Sequence, residues 1–201
     1  MPAAMVIDYG VGNLFSMSNA LRKAGFQVKV AEKPQDLQDA DALVLPGVGN
    51  FGAVAANLEP FSEAIRDMVD GGTPLLGSCL GMQLLFERSE ESPGEGLGVL
   101  SGTVKRFVGD MKTPHMGWNT VTLKRDSPLL EGVKPGSYFY FVHSYYPEPA
   151  DPQDTLATTE YGVEFASIVE RGGVYGAQFH PEKSGEAGAR LLSNFAELVK
   201  R

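Results

Sequence analysis

The sequence predicts an α/β fold of three layers, in which a mostly parallel sheet carries helices on both faces. In the first half of the chain, short runs of consecutive apolar residues alternate with stretches in which apolar residues recur every three or four positions. Continuous apolar strands joined by helices are typical of a parallel sheet that is covered on both sides. After about Pro93, strand patterns follow one another without helix patterns between them. We therefore expect this half to add antiparallel strands to the sheet edge or to form a small flanking sheet.

The first half is predicted to contain four strands and two long helices. An apolar run at Ala3–Asp8 starts the sheet, and Asn13 is predicted to cap a helix that Gly25 closes. A second long helix is predicted from about Ala53 to Val69, with Pro60 as a break or as its start, because proline disrupts a helix interior. The other strands of this half are predicted at 26–31, 41–45 and 74–76.

The second half is predicted to contain short strands and one terminal helix. Ser184 is predicted to cap that helix, which places Leu191, Phe195 and Leu198 on one face. The basic pair Lys200–Arg201 suits the negative end of the helix dipole. Since no linker interrupts the pattern, we expect a single domain over residues 1–201. The strands are predicted at 99–107, 119–123, 138–142, 155–159, 165–170 and 174–179.

The composition argues against several classes of function. Lys and Arg number 17 against 25 Asp and Glu, a net charge of −8, and no basic cluster stands out. This argues against nucleic acid as the main partner. No apolar run approaches the ~20 residues that span a membrane, so we expect no membrane association. The single cysteine cannot form an internal disulfide, which suits a reducing, cytoplasmic setting.

The single cysteine lies in a G-x-C-x-G pattern, Gly77-Ser-Cys-Leu-Gly81, between a predicted strand and a helix predicted from Leu80 to Phe86. This is the cysteine version of the nucleophile elbow, a tight strand-to-helix turn that exposes one side chain above the sheet. The flanking glycines suit the crowded backbone of such a turn. Free N–H groups at the helix start would favour the thiolate form of Cys79. The alternative is a buried structural cysteine.

A nucleophilic cysteine needs a base, and His180 is the best candidate. Pro181 restricts the residue before it to an extended conformation, in which residues two apart face the same side. His180 and Glu182 are therefore predicted to act as a base and the carboxylate that orients it. The alternative is a strand-end histidine in solvent beside a surface glutamate. His115 and His143 have no carboxylate two residues away, and we expect packing, substrate-wall or interface roles for them.

Acyl transfer also needs donors for the oxyanion of the intermediate. The backbone N–H of Leu80, directly after the nucleophile, is one predicted donor. The glycine loop Pro46–Gly49 is the predicted source of the second, although such a loop is often only a tight turn. Ligands bind beyond the carboxyl ends of parallel strands. This loop is therefore predicted to share one rim of the sheet with Tyr9–Gly12 and Gly77–Gly81.

Together, Gly77-Ser-Cys-Leu-Gly-Met-Gln83 and Phe179-His-Pro-Glu182 resemble the motifs of the class I (triad) glutamine amidotransferases. The chain resembles in particular the glutaminase subunit of imidazole glycerol phosphate synthase, an enzyme of histidine biosynthesis, and the resemblance covers essentially the whole chain. It implies a flavodoxin-like three-layer fold and one glutamine amidotransferase type 1 domain over residues 1–201. The segments that carry the narrower resemblance are Ile7–Asn13, Pro46–Gly49, Pro114–Asn119 and His143–Tyr145.

The resemblance implies a role for individual residues. Cys79 would be the nucleophile, His180 the base and Glu182 its orienting carboxylate. The amides of Gly49 and Leu80 would form the oxyanion hole. Ser78 departs from the family pattern, which commonly has an aliphatic residue before the cysteine, and we expect it to affect only packing. The residues implied to bind glutamine are Gly47, Gln83, Glu91 and the backbone of Ser144 and Tyr145.

The resemblance also implies a partner and no metal or cofactor. Ammonia would pass to a cyclase of the (β/α)8-barrel type in a heterodimer. The sequence has no G-x-x-x-x-G-K-[ST] loop for a nucleotide-binding synthase of its own, so the acceptor must lie on another chain. Trp118, Tyr140 and Lys183 are the predicted interface residues. Their alternative roles are a core aromatic, a strand aromatic and a solvated lysine.

The sequence leaves three alternatives to this function open. A sister amidotransferase of another pathway would carry the same triad. A cysteine peptidase or thiol hydrolase on the same elbow would cleave peptides or esters instead of glutamine. A non-catalytic subunit with a vestigial site would bind its partner and release no ammonia, although the intact Cys, His and Glu set argues against it.

Overall fold

The computed structural model describes residues 1–200 as four α-helices and thirteen strands, with short 3₁₀ turns between some of them. The helices are α1 (Leu14–Lys23), α2 (Phe51–Asp70), α3 (Leu80–Gln83) and α4 (Gly185–Val199). The strands of the first half are β1 (Ala3–Ile7), β2 (Gln27–Ala31), β3 (Ala42–Gly47), β4 (Leu75–Cys79) and β5 (Arg88–Ser89). The remaining strands are β6 (Gly102–Arg106), β7 (His115–Thr120), β8 (Thr122–Leu123), β9 (Tyr138–His143), β10 (Tyr145–Pro149), β11 (Thr155–Tyr161), β12 (Val163–Arg171) and β13 (Val174–Ala177).

One eight-stranded sheet organises the chain, in the order β2-β1-β3-β4-β13-β12-β11-β8. The first five strands of that order run parallel, and the last three are added antiparallel. Two smaller sheets flank it, one of order β10-β6-β5 and one made of β7 and β9. Both expectations for the second half are thus confirmed, because its strands extend the main sheet and also form flanking sheets.

Helices cover the main sheet on both faces, as the three-layer prediction requires. Side chains of β1 alternate between two apolar cores, with Val6 in one and Ile7 in the other. Helices α1 and α4 pack into the first core, where Phe26 and Phe195 bring their rings to 5.7 Å. Helix α2 packs into the second core through residues that include Leu58. The sheet is therefore buried between two helical layers.

The ends of the first helix follow the sequence prediction, whereas the interior of the second does not. The side chain of Asn13 accepts a hydrogen bond from the Ser16 amide at 3.1 Å, and Gly25 follows α1 with φ of +102°. Helix α2 runs through Pro60, so the predicted break there is wrong. Pro60 lies on the exposed side of the helix. Burial of apolar residues on both sides of it, such as Leu58 and Phe61, offsets the lost hydrogen bond.

The helix predicted from Leu80 to Phe86 ends at Gln83 and is one turn long. The carbonyls of Leu84 and Leu85 accept hydrogen bonds from the amides of residues 97 and 100 instead of from later turns of a helix. These long-range bonds end α3. A helix of one turn has little dipole, so its effect on Cys79 is limited to the free amides of its first residues.

The start of the terminal helix also differs from the prediction. Ser184 occupies the N-cap position of α4, but its hydroxyl donates to the His180 carbonyl at 2.6 Å instead of capping the helix. The same hydroxyl accepts a hydrogen bond from the Tyr140 amide at 3.0 Å. Leu191 and Phe195 are buried as predicted. The predicted role of Arg201 lies outside the described residues.

The starts of two strands in the second half lie three and four residues from their predicted positions, the largest differences among the strand starts there. The strand expected at 99–107 begins only at Gly102, where φ is +141°, and β7 begins at His115 instead of 119. Strand β10 was not predicted, because Tyr145–Pro149 contains two prolines that break the apolar alternation of a strand.

We expect Gly81→Ala to destabilise the fold by about 3 kcal/mol or more. A Cβ atom on Gly81 would lie 1.7 Å from the Leu45 carbonyl oxygen of β3, so backbone would have to move. Gly25→Ala is the control, because no atom lies within 4 Å of its added Cβ. It carries only the strain of positive φ, about 1–2 kcal/mol. Urea unfolding measures the free energy of unfolding of both variants. Equal losses in the two would show that the contact with Leu45 does not destabilise Gly81→Ala.

Candidate active site

The backbone at Cys79 has the strained geometry of a nucleophile elbow. Its φ is +53°, the only positive φ at a non-glycine residue among the described residues 1–200. A Cβ on Gly77 would meet the Gly81 backbone at 2.6 Å, so the two glycines allow the turn to close tightly. Non-glycine residues in this conformation cluster at functional sites. The turn places Cys79 at the carboxyl end of β4, at the centre of the main sheet.

Strand pairing brings the histidine to the cysteine. Strands β4 and β13 are parallel neighbours, with Ala177 opposite Ser78, so His180 emerges at the same sheet edge as Cys79. The buried Ser78 hydroxyl donates to the Phe179 carbonyl at 3.4 Å. Ser78, the departure from the family pattern, thus adds a contact between the ends of the two strands.

His180 and Glu182 form a hydrogen-bonded pair, but not by the predicted route. Nδ1 of His180 lies 3.0 Å from Oε1 of Glu182, and both side chains are only 3% exposed. The backbone at His180 is extended, whereas Pro181–Lys183 forms a 3₁₀ turn. Proline favours the first position of such a turn, because its φ is preset. The turn, rather than an extended chain, folds the carboxylate back onto the ring.

The electrostatics of the site favour a charged imidazole. Burial by itself would lower the pKa of His180, but the Cys79 sulfur and the Glu182 carboxylate raise that pKa to about 9. Nε2 of His180 makes no well-aligned hydrogen bond to any of residues 1–200, so the sulfur acts on the ring by proximity. The sulfur itself lies 3.7 Å from the Val142 carbonyl oxygen. The arrangement is suited to a thiolate–imidazolium pair held by a carboxylate.

A cavity of about 300 Å³ opens in front of the cysteine. A cavity of this size can accept a single small metabolite. Besides Cys79, its lining includes six residues that the sequence predicted for the oxyanion hole and for substrate binding. These are Gly49, Leu80, Gln83, Glu91, Ser144 and Tyr145.

The two polar side chains predicted to bind the substrate are held by other parts of the protein. The amide nitrogen of Gln83 donates to the Tyr145 carbonyl at 2.9 Å and to Oε1 of Gln178 at 3.1 Å. Since both amide protons are used, the oxygen of Gln83 is the atom left to accept a bond from a ligand. Oε2 of Glu91 accepts from the Phe51 amide at the start of α2 at 2.7 Å.

The three predicted rim loops lie together. The Tyr9 hydroxyl donates to the Pro46 carbonyl oxygen, and a Cβ on Gly12 would lie 3.4 Å from the same oxygen. Burial, and then the charge of Cys79, raise the pKa of the Tyr9 hydroxyl far above its usual value, so it remains a donor. Gly47 lies beneath the elbow instead of in the lining of the cavity. A Cβ there would meet the Gly81 nitrogen at 2.5 Å, so Gly47 packs closely against the elbow. Its role in substrate binding stays a prediction.

The three predicted interface residues lie away from the cavity lining. Trp118 and Tyr140 pair across β7 and β9, with ring centroids 5.8 Å apart, and Trp118 is 55% exposed. Lys183 is exposed on the 3₁₀ turn that also carries Glu182. The amide of His180 donates to the Tyr140 carbonyl at 2.9 Å, so the β9 strand is tied to the histidine segment.

The other two histidines are neutral and buried. Burial lowers the pKa of His115 to about 4. Burial, and then the nearby His115 and His180, lower the pKa of His143 to about 3, against a hydrogen bond to the Tyr145 carbonyl that raises it. His143 lines the cavity, as a wall residue would.

Sequence reasoning missed three contacts of the site. Gln178 is buried between Gln83 and Cys79, with its amide nitrogen 3.9 Å from the sulfur. The hydrogen bond from the Tyr9 hydroxyl to the Pro46 carbonyl and the contact of the Cys79 sulfur with the Val142 carbonyl were also not predicted. Gln178 precedes His180 by two residues on the same segment, so the alternation that paired His180 with Glu182 could have pointed to it.

Neither a metal cluster nor a membrane helix is found in the described part of the chain. Within residues 1–200, no group of three His, Cys, Asp or Glu side chains could hold a metal ion. No helix in that range is long and apolar enough to cross a membrane.

Solved structures support the fold. The chain superposes on the structure of PurLQS from Thermotoga maritima with a TM-score of 0.80 at 20% identity, covering 98% of each chain. A structure described as a glutamine amidotransferase gives a TM-score of 0.77 at 23% identity, covering 98% of this chain and 99% of that one. Both share the three-layer architecture.

Sequence relatives are much closer. The protein-family model for glutamine amidotransferase class-I matches residues 5–198. Imidazole glycerol phosphate synthase subunit HisH of Methanothermobacter thermautotrophicus is 50% identical over 196 residues, 97% of this chain and 98% of that protein. The HisH subunit of Thermococcus kodakarensis is 51% identical over 199 residues, 96% and 98% of the two chains. The chain therefore belongs to the class I glutamine amidotransferases and, within them, to the HisH subunits of imidazole glycerol phosphate synthase.

Proposed function

We propose that this chain hydrolyses glutamine to glutamate and ammonia as the glutaminase subunit of imidazole glycerol phosphate synthase, with Cys79, His180 and Glu182 as its catalytic residues. One observation carries the assignment of residues: the ends of β4 and β13 bring Cys79 and His180 together, and Glu182 holds the far nitrogen of the imidazole at 3.0 Å. That arrangement provides a nucleophile, a base and an orienting group in one buried site.

The charge state of the site suggests the order of steps. A thiolate at Cys79 attacks the side-chain carbonyl carbon of glutamine and forms a tetrahedral intermediate. The protonated His180 donates its proton to the departing amine, so ammonia leaves and a thioester remains on the sulfur. Water then attacks the thioester carbonyl while His180 accepts a proton, and glutamate is released as the thiolate re-forms. Glu182 orients the ring throughout and stabilises it whenever His180 is protonated.

The oxyanion that forms in each step needs donors. The amide of Leu80 is free because it is the first residue of α3, and it lines the cavity beside Gly49. Removal of one such donor typically costs ~10² to 10³ in rate. We assign the amides of Leu80 and Gly49 to this role, and the hydroxyl of Tyr9 supports the loop by its bond to Pro46.

The cavity lining is suited to the two charged ends of glutamine. The carboxylate of Glu91 and the free amide oxygen of Gln83 are acceptors for the substrate ammonium group. The backbone of Ser144 and Tyr145, at the start of β10, is assigned to the substrate carboxylate. Neutral His143 beside them adds no competing charge.

The related HisH proteins are named as subunits of a synthase, so a further subunit is expected, and we propose that it is a cyclase. We propose a partner of the (β/α)8-barrel type that binds a docking face made of Trp118, Tyr140 and Lys183. The exposure of Trp118 and of Lys183 supports this face.

The free thiol of Cys79 suits the cytoplasm. The family match over 5–198 supports one amidotransferase domain over residues 1–201.

We expect the imidazole of His180 to stay protonated up to about pH 9. Burial alone would lower the pKa of His180, but the Cys79 sulfur and the Glu182 carboxylate raise that pKa from 6.5 to about 9. An NMR titration of the histidine rings measures this pKa. Cys79→Ala should lower it, because the sulfur makes the larger of the two raising contributions. An unchanged His180 pKa in that variant would contradict the sulfur–imidazolium pairing.

Cys79→Ala should abolish glutamine-dependent synthesis by the complex while ammonia-dependent synthesis stays near the wild-type rate. The thiol performs only the deamidation, and the partner performs the cyclisation. Steady-state assays of the complex with glutamine or with an ammonium salt separate the two. Glutamine-dependent turnover within about tenfold of wild type would exclude Cys79 as the nucleophile. Equal loss with both nitrogen sources would instead point to damaged assembly.

His180→Ala should lower glutamine-dependent kcat/KM by more than about 10⁴-fold, because general acid and general base roles are both lost and each is typically worth ~10² to 10⁴. Glu182→Gln should cost less, since the imidazole remains. The same assay on His143→Ala serves as comparison. A larger loss there than in His180→Ala would show that the wrong histidine has been assigned.

A further inference from the structure

A line of hydrogen bonds runs behind the cavity wall through two histidines that the reaction does not use. Nδ2 of Asn119 lies 3.3 Å from Nε2 of His115. Nδ1 of His115 lies 3.0 Å from Nε2 of His143. Nδ1 of His143 lies 2.8 Å from the Tyr145 carbonyl oxygen. These four residues form a continuous path from the β7 strand to the cavity, which we call the histidine chain.

The partners at its two ends fix the direction of every bond. A carbonyl oxygen only accepts, so His143 must carry its proton on Nδ1, and its Nε2 must then accept when the ring is neutral. His115 must therefore donate from Nδ1, which leaves its Nε2 as an acceptor. Asn119 supplies the donor, because its amide nitrogen also donates to the Glu160 carbonyl at 3.0 Å. Each bond thus points towards Tyr145.

The surroundings keep both rings in this state. His115 stacks on Tyr161 with centroids 4.0 Å apart and on Phe141 at 4.8 Å. Phe107 lies 5.2 Å from the His143 ring. Such an aromatic environment disfavours a charged imidazole. If His143 were protonated, its Nε2–H would face the Nδ1–H of His115, and the two donors would repel each other. The bond direction therefore also keeps the His143 ring neutral.

The end of the histidine chain is a functional atom of the cavity. The Tyr145 carbonyl accepts from His143 and also from the amide nitrogen of Gln83 at 2.9 Å, so both its lone pairs are used. This carbonyl belongs to the segment Ser144–Tyr145, whose amides face the substrate carboxylate in our proposal. Because a peptide group is planar, fixing this carbonyl fixes the Tyr145–Tyr146 peptide. That peptide shares the Cα atom of Tyr145 with the Ser144–Tyr145 peptide, whose own carbonyl accepts from the Phe107 amide at 3.2 Å. The two bonds together hold the backbone on both sides of Tyr145.

We propose that His115 is a positioning residue for glutamine binding, which acts through His143 by holding the Ser144–Tyr145 backbone in its binding orientation. The inference rests on the proposed glutaminase function, since it assumes that this segment meets the substrate. His115 lies behind His143 and does not line the cavity. Its loss should therefore weaken substrate binding more than it slows the chemical steps at Cys79 and His180.

Two amide substitutions that differ by one methylene group separate the histidine chain from simple packing. In His115→Asn the amide nitrogen takes the place of Nδ1 and can still donate to His143. In His115→Gln the amide lies near the place of Nε2 and can reach only Asn119. Both lose the same ring stacking on Tyr161. Tyr161→Phe is the control for the neighbouring ring, because it removes only the hydroxyl bound to the Lys112 carbonyl at 2.6 Å.

The kinetic test uses the complex with the cyclase subunit. His115→Gln should raise KM for glutamine about tenfold, as expected for a lost buried hydrogen bond, and lower kcat by less than about threefold. His115→Asn and Tyr161→Phe should stay within about threefold of wild type in both constants. Equal KM increases in the Asn and Gln variants would overturn the proposal in favour of packing. If the wild-type complex does not hydrolyse glutamine, the proposed function fails instead.

A second measurement tests the histidine chain without any assay of activity. The sequence has three histidines, so ¹⁵N-labelled wild-type protein gives three ring systems, assigned with the variants. At neutral pH the rings of His115 and His143 should each carry a single proton, on Nδ1. A proton on Nε2 of either ring would overturn the proposed direction, whether or not glutamine is hydrolysed. The NMR measurement remains possible if a His115 variant fails to fold. It is made on the wild-type protein, and the variants Asn119→Ala and His143→Asn are enough to assign its ring signals.

Discussion

The structure depends on the parallel pairing of β4 with β13. These strands are about a hundred positions apart in sequence, yet their last residues lie side by side at the centre of the sheet. The pairing tolerates no side chain at Gly176, where a Cβ would meet Met82 and Val169 within 2.8 Å. The proximity of Cys79 and His180 follows from this register, because Cys79 ends β4 and His180 comes soon after the end of β13.

The site is built from features that oppose folding locally. Cys79 holds a strained backbone, and the buried pair His180 and Glu182 places charge in a site with little solvent. Buried charges are costly unless they are paired. The surrounding sheet, with two apolar cores on its faces, supplies the stability that holds this arrangement. The strained turn places the thiol at the cavity, and the Cys79 sulfur and the Glu182 carboxylate raise the pKa of His180 although burial lowers it.

The sequence was sufficient for the layered fold and for the residues with local signatures. The elbow at Cys79, the His180–Glu182 pair and the caps of α1 have patterns within a few positions of one another. The early end of α3 and the alternative bonding of Ser184 could not be predicted, because long-range backbone contacts decide them. The histidine chain could not be predicted for the same reason, because its residues lie on different strands. The position of Gln178 two residues before His180 pointed to the same side, but its contacts with Gln83 and Cys79 depend on distant parts of the sequence.

The two-stranded ribbon of β7 and β9 carries different residues on its two faces. Trp118 and Tyr140 oppose each other on the outer face, and His115 opposes His143 on the inner one. Side chains alternate along a strand, so a slip of one residue would exchange the faces. Such a slip would turn the aromatic pair inward and the imidazoles outward in a single event. An insertion or deletion within this ribbon is therefore far less tolerable during evolution than any one substitution in it.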